Sequence, residues 1–269
     1  MRCCTTHEDE LFSYDKVVNE RKVTGLHYHQ RHELYFLLNG KTKYFVNDEV
    51  FVLEKGNLIF VPAKALHSCD TEEPLQNERM LISIPNDYFD ESTKHLLKKL
   101  SEDKYIYIPK ENLYIITDLY QKIEKEYQKP KIYGDTLVRL YVMELITMLC
   151  RLKKDHKPHL SQTDEIIQNI TKHICDNYNT SLSLDSLSTQ FGLSKGYLSR
   201  QFKIITGLGL NEYITHIRIT NAEKMLKENK YPITYIATLC GFNDSNYFAA
   251  VFKKLKGVTP YKFSKQNRK

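Results

Sequence analysis

The sequence predicts a two-domain protein: an N-terminal all-β barrel with trailing helices, then an all-α half built from two helix-turn-helix modules. Three observations carry this. Short β-rich runs separated by turn residues fill the stretch from Val17 to about Pro85, helical periodicity takes over after Pro85, and one helical pattern occurs twice near the C-terminus. A length of 269 residues suits about two domains at roughly 150 residues each.

The strand region comes first. Glu33-Leu-Tyr-Phe-Leu-Leu and Lys41-Thr-Lys-Tyr-Phe-Val46 flank Asn39-Gly40, a dipeptide that predicts a two-residue hairpin because both central positions of a type I′ turn need positive φ. Val50–Leu53, Leu58–Val61 and Met80–Ile84 follow as further short runs, a spacing that argues an antiparallel sandwich or small barrel. Helices are then predicted over Tyr88–Leu100, Asn112–Gln128 and Asp135–Lys153, with Pro130 separating the last two. The domain map is a barrel with its trailing helix over 1–109, a helical connecting and dimerisation segment over 110–153, a polar linker over 154–163, and a helical domain over 164–269.

The helical domain holds the repeat. Leu184-Asp-Ser-Leu187, Phe191-Gly192-Leu193, Leu198, Phe202-Lys203 and Gly207 recur about fifty residues later. The second copy is Ile233-Thr-Tyr-Ile236, Cys240-Gly241-Phe242, Phe248, Phe252-Lys253 and Gly257, with one extra residue after its first glycine. In each copy a short apolar-faced helix stops at a glycine suited to the left-handed region, and a polar residue caps the next helix. Ser194 caps in the first copy and Asn243 or Asp244 in the second. The second helix anchors itself through two apolar residues four apart and turns the others outward. This is a helix-turn-helix, whose second helix can enter a DNA major groove. Leu210–Asn229 forms a helical spacer about 30 Å long between the copies, close to the roughly 34 Å of one duplex turn.

Charge points the same way. Residues 1–160 carry 24 Lys and Arg against 25 Asp and Glu, whereas residues 161–269 carry 15 against 8. The basic excess sits where the repeat sits, as expected of a half that meets a polyanion.

Ser194-Lys-Gly-Tyr-Leu-Ser-Arg-Gln-Phe-Lys203, Arg218 with Ala222 and Leu226, and the stretch from Ile233 through Gly241-Phe242 to Gly257-Val-Thr-Pro260-Tyr-Lys-Phe263 resemble the DNA-binding domain of AraC-family transcription regulators. The resemblance implies a bacterial transcription factor, usually an activator. It places Gly196, Ser199 and Arg200 at the base-facing positions of the first recognition helix and Ser245, Asn246 and Ala250 at those of the second. The family often has arginine where this chain has Ala250. Lys195 and Lys203 complete the first set; Lys203, Lys253, Lys254 and Lys256 are read as phosphate contacts.

In the first half, His27-x-His29-x₃-Glu33-x₆-Gly40 and Gly56-x₅-Pro62 followed by His67 resemble the two cupin motifs, with Arg21 and Lys64 standing where glycines belong. The resemblance implies a cupin-like barrel with His27, His29, Glu33 and His67 lining an effector pocket. Three imidazoles and a carboxylate could also hold a divalent transition metal, but no metal or other cofactor is required by this reading. His32, one position before Glu33, is expected on the opposite face and at the surface.

Several classes are excluded or disfavoured. No run of eighteen apolar residues exists, so no membrane helix is expected, and no secretory signal is visible at the N-terminus. Six cysteines without C-x-x-C spacing (Cys3, Cys4, Cys69, Cys150, Cys175, Cys240) suit the reducing cytoplasm. The expected protein is a non-enzymatic, sequence-specific regulator that binds promoter DNA and a small-molecule effector and forms a homodimer. RNA polymerase stays open as a further partner. The alternatives are a cupin metalloenzyme with an accessory helical domain, and a regulator whose first domain only dimerises.

Overall fold

Nine strands build two antiparallel sheets in the N-terminal unit of this computed structural model, which describes residues 13–18, 23–71, 77–129, 132–152 and 159–267. The first sheet holds β1 (Ser13–Val18), β3 (His32–Asn39), β6 (Asn57–Val61), β8 (Glu78–Ile84) and β9 (Tyr105–Tyr107) in the order β1-β8-β3-β6-β9. The second holds β2 (Val23–His27), β4 (Lys41–Val46), β5 (Glu49–Glu54) and β7 (His67–Thr71) in the order β2-β7-β4-β5. Arg21, Cys3, Cys4, His7 and the linker residues 153–158 lie outside the described residues.

The first sheet is apolar on both faces, and the two faces serve different cores. Tyr35, Leu37, Ile59 and Val61 meet Tyr44, Val46, Phe51 and Leu53 of the second sheet inside the barrel. Leu34, Phe36, Leu58, Phe60, Met80, Ile82 and Ile84 point the other way, onto α1 (Lys94–Glu102), α2 (Lys110–Gln128) and α3 (Gly134–Arg151). Ile116, Leu119, Tyr120 and Ile123 of α2 and Val138, Val142, Leu145, Ile146 and Leu149 of α3 complete that outer core. The segment 110–153 is therefore built into the sheet unit, whose boundary falls at Ser161.

Two expectations about local structure are corrected. Asn39-Gly40 does not close a hairpin: β3 pairs with β6 and β8, β4 pairs with β5 and β7, and the dipeptide turns the corner from one sheet to the other. Gly40 has φ +93°, whereas Asn39 is absent from the positive-φ set that a type I′ turn demands. The true hairpin joins β4 to β5 through Asn47-Asp48, with Asn47 at φ +59°. The helix expected over Tyr88–Leu100 starts only at Lys94, after a 3₁₀ turn at Asn86–Tyr88. Asp90 causes the delay, because its carboxylate accepts from the Ser92 and Thr93 hydroxyls and the Thr93 amide and so stabilises a turn. Lys64 stands at φ +66°, so the cupin-motif glycine position keeps its left-handed turn despite the side chain.

The second unit, Gln162–Lys269, is all-helical: α4 (Gln162–Asn177), α5 (Leu184–Gln190), α6 (Lys195–Thr206), α7 (Leu210–Glu228), α8 (Ile233–Leu239), α9 (Ser245–Lys256) and α10 (Pro260–Gln266). Helix α4 begins two residues before the expected Asp164. Helix α7 serves both modules, with Tyr213 edge-on to Phe202 of α6, and Ile219, Ala222 and Leu226 in one core with α8 and α9.

Candidate DNA interface and the histidine cluster

The repeat is repeated in geometry. In the first module Leu193 N–H donates to Ser188 O across Gly192, at φ +65°; in the second Phe242 N–H donates to Ala237 O across Gly241, at φ +81°. Both are Schellman closures, which need a residue in the left-handed region. Ser194 Oγ then accepts from Tyr197 N–H to cap α6, and Asp244 accepts from Tyr247 N–H to cap α9, settling the cap between Asn243 and Asp244. Leu198 with Phe202, and Phe248 with Phe252, are fully buried and hold each second helix to the module.

The outward faces hold most of the expected DNA-contacting residues. Lys195, Gly196, Ser199, Arg200 and Lys203 on α6 are exposed, as are Ser245, Asn246, Ala250, Lys253 and Lys254 on α9. Lys195 pairs with Asp185 at 2.9 Å on the open surface, a contact that solvent weakens. Lys256 is corrected. It is largely buried and its Nζ lies 2.5 Å from Glu223, which also takes Lys227 at 2.6 Å. It therefore ties α9 to α7 instead of facing a phosphate. Tyr247, beside Asn246, is also exposed on this face, with its ring 6.2 Å from that of Phe242.

Inside the barrel, His27 and His29 at the end of β2 meet His67 at the start of β7, and the ring nitrogens they offer lie within 4.8 Å of one another. Glu33, on β3, is buried among them with Oε2 3.1 Å from His29 Nε2 and 4.0 Å from His67 Nε2, while Tyr44 donates to its Oε1 at 3.1 Å. Burial alone would raise the Glu33 pKa, but the His29 hydrogen bond and the neighbouring imidazoles override it and hold the carboxyl at about 2. Burial pulls His29 down, yet the Glu33 contact leaves it above its usual value, whereas burial dominates at His67 and lowers it to about 4.

The Nδ1 atoms of His27, His29 and His67 face the backbone carbonyls of Gly25, Arg31 and Ala65 at 2.8, 2.8 and 2.9 Å. A carbonyl only accepts, so each Nδ1 carries the proton and each Nε2 is left for the site. At His29 both nitrogens face oxygen, which requires an imidazolium or a cation shared with Glu33. This is the outer-shell pattern of metal-binding histidines, and three imidazoles beside a carboxylate are donor types that a divalent transition metal would take. His32 points to the opposite face as expected but is buried, stacked on Phe60 and accepting the Ala63 amide at Nδ1. The surface expectation failed because helices cover that face of the sheet.

Residues 187–266 match a helix-turn-helix domain family and residues 17–76 match a cupin domain family. The HTH-type transcriptional activator RhaR of Enterobacter sp. (strain 638) is 22% identical over 263 residues, covering 93% of this chain and 90% of the relative. The chain thus carries a helix-turn-helix domain and a cupin domain, the pair found in AraC-type transcription regulators, and is similar over nearly its full length to an HTH-type transcriptional activator. An uncharacterised HTH-type transcriptional regulator in the cgkA 5′ region of Pseudoalteromonas carrageenovora is 39% identical over 100 residues, 37% of this regulator and 59% of that one. ToxT of Vibrio cholerae aligns over 96% of this regulator and 100% of its own chain, with a TM-score of 0.40 and 12% identity. The regulator is thus a DNA-binding protein with a cupin domain. Among the described residues no helix is long and apolar enough to cross a membrane.

Proposed function

We propose that this regulator activates transcription in the cytoplasm when a small molecule enters its cupin unit, with α6 and α9 reading promoter DNA. The observation that carries the gating half is the buried Glu33 among three imidazoles inside the barrel, a polar cluster that an inert dimerisation domain does not need. The names of the full-length relatives support activation, and support a regulator over an enzyme. RNA polymerase is the protein partner that activation calls for. Homodimerisation is supported by the exposed Leu137 and Leu140, i and i+3 on α3, with Tyr133 exposed at the N-cap of that helix.

A second reading has its own support. The three Nδ1–carbonyl contacts favour a divalent metal held by His27, His29, His67 and Glu33, which would supply a Lewis-acid site for an oxygen donor of the effector. Reporter transcription across a panel of carbon sources tests the first reading: the wild type responds to at least one, and Glu33→Gln responds to none. A reporter response left intact by Glu33→Gln refutes it. Elemental analysis of the purified protein tests the second, with near-stoichiometric metal expected in the wild type and its absence counting against the metal.

A further inference from the structure

A second polar site lies at the other end of the barrel interior. On β8, Met80, Ile82 and Ile84 face the outer core, so the alternation sends Arg79 inward. Arg79 sits opposite Leu37, an interior core residue, and its guanidinium carbon lies 5.9 Å from the ring centroid of Tyr35. It is 3% exposed and interacts with the Tyr35 side chain, but among the described residues neither Nη1 nor Nη2 has a hydrogen-bond partner. Asn77, 1% exposed, donates from Nδ2 to Thr42 Oγ1 at 3.0 Å, and Tyr35 OH lies 3.2 Å from the same hydroxyl. Among the described residues Asn77 Oδ1 has no donor.

A guanidinium keeps its charge at any physiological pH, and burying it unpaired is among the costliest things a fold can do. The missing partner is specified by what is left over: two parallel N–H groups in a planar fork, and one carbonyl acceptor. The fork matches a carboxylate taken end-on by two hydrogen bonds, and the acceptor matches a hydroxyl. Glu33 pairs with Ser83 and Leu37 with Arg79, so four residues of β3, about 13 Å, separate the histidine level from this one. Tyr35 and Tyr44, edge to face at 4.8 Å, lie between. The two sites are separate.

We propose that Arg79 and Asn77 form the receptor for a small hydroxy acid, with Arg79 taking the carboxylate and Asn77 Oδ1 a hydroxyl. This rests on the reading that the cupin unit binds an effector, and it names the effector's chemical class. The test is calorimetric titration of the full chain with glycolate, lactate, gluconate and galacturonate, with glucose as the neutral control. At least one acid should bind saturably, glucose should not, and Arg79→Met should weaken binding at least tenfold. Arg79→Lys, which keeps the charge but loses the fork, should lie between, and guards against a variant that merely misfolds. Without ligand, Arg79→Met should melt no lower than wild type, since it removes an unpaired charge. A clearly lower melting temperature would reveal a counter-ion within the chain and overturn the proposal, as would absence of binding by all four acids or equal binding by Arg79→Met. The regulatory reading is tested apart, by DNA affinity at saturating acid. Unchanged affinity would sink the gating while the receptor stands; a response to glucose that persists in Arg79→Met would sink the receptor while the gating stands.

Discussion

The two Schellman glycines offer a matched pair of substitutions in one molecule. Gly192 and Gly241 occupy the same place in the two modules, at φ +65° and +81°, so alanine at either one pays for the left-handed region, about 1–2 kcal/mol. Their surroundings differ. A Cβ on Gly192 would meet nothing within 4 Å, whereas one on Gly241 would meet Asn179 Cα and O at 3.0 Å and Arg218 Cζ at 3.1 Å. Neither neighbour yields easily. Asn179 is contacted at its backbone, and Arg218 donates from Nε to Tyr178 O and from Nη2 to Thr180 O, both at 2.8 Å. Overpacking of this kind adds about 1–3 kcal/mol. Gly192→Ala is therefore expected to cost about 1–2 kcal/mol and Gly241→Ala about 2–5. Urea unfolding of a fragment beginning at Ser161, followed by far-ultraviolet circular dichroism, measures both. Equal costs, within about 0.5 kcal/mol, would refute the reasoning, since the contacts with Asn179 and Arg218 are what distinguish the two sites.

That fragment, holding the basic excess and both modules, should fold alone and bind DNA with an affinity falling by a log–log slope of about 0.9 per neutralised phosphate; a folded fragment with flat salt dependence would rule out the interface. Lys253→Ala should lower that slope by about one unit while Lys256→Ala leaves it unchanged, because Lys256 is committed to Glu223; a matched loss in both would place Lys256 on phosphate after all. Arg200→Ala should relax preference at one or two base pairs by about 1–3 kcal/mol in a randomised-site selection, whereas Ser245→Ala with Asn246→Ala weakens binding evenly, and an unchanged profile for Arg200→Ala would refute its base contact. Leu140→Asp, at a 58% exposed position on α3, should shift light scattering at tens of micromolar from dimer to monomer; a dimer that survives it does not use this surface.

The helical half was legible almost residue by residue, because its signals are local. Caps, Schellman glycines and apolar pairs four apart act within one or two turns, so Ser194, Gly192 and the Leu198–Phe202 pair announce their roles without knowledge of any distant residue. The histidine cluster was legible too, through the resemblance to the cupin motifs, which implied that His27, His29, Glu33 and His67 share one pocket. What the sequence could not decide was partner choice. The dipeptide Asn39-Gly40 carries a hairpin signal, but β3 has its edges taken by β6 and β8, strands about 20 and 40 residues away in the chain, and the turn became a corner. Helices α2 and α3 read as a connecting and dimerisation segment, and only the tertiary structure decides how their apolar side chains divide, with the outer face of the same sheet taking most of them. Lys256 read as a phosphate contact until Glu223, one helix away, took its charge. Arg79 drew no notice at all, because a lone arginine in a strand reads as surface. Only the pairing of β8 with β3 turns it into the barrel, where it is 3% exposed. Burial and charge pairing depend on which surfaces meet, and that is set by contacts between residues far apart in the chain.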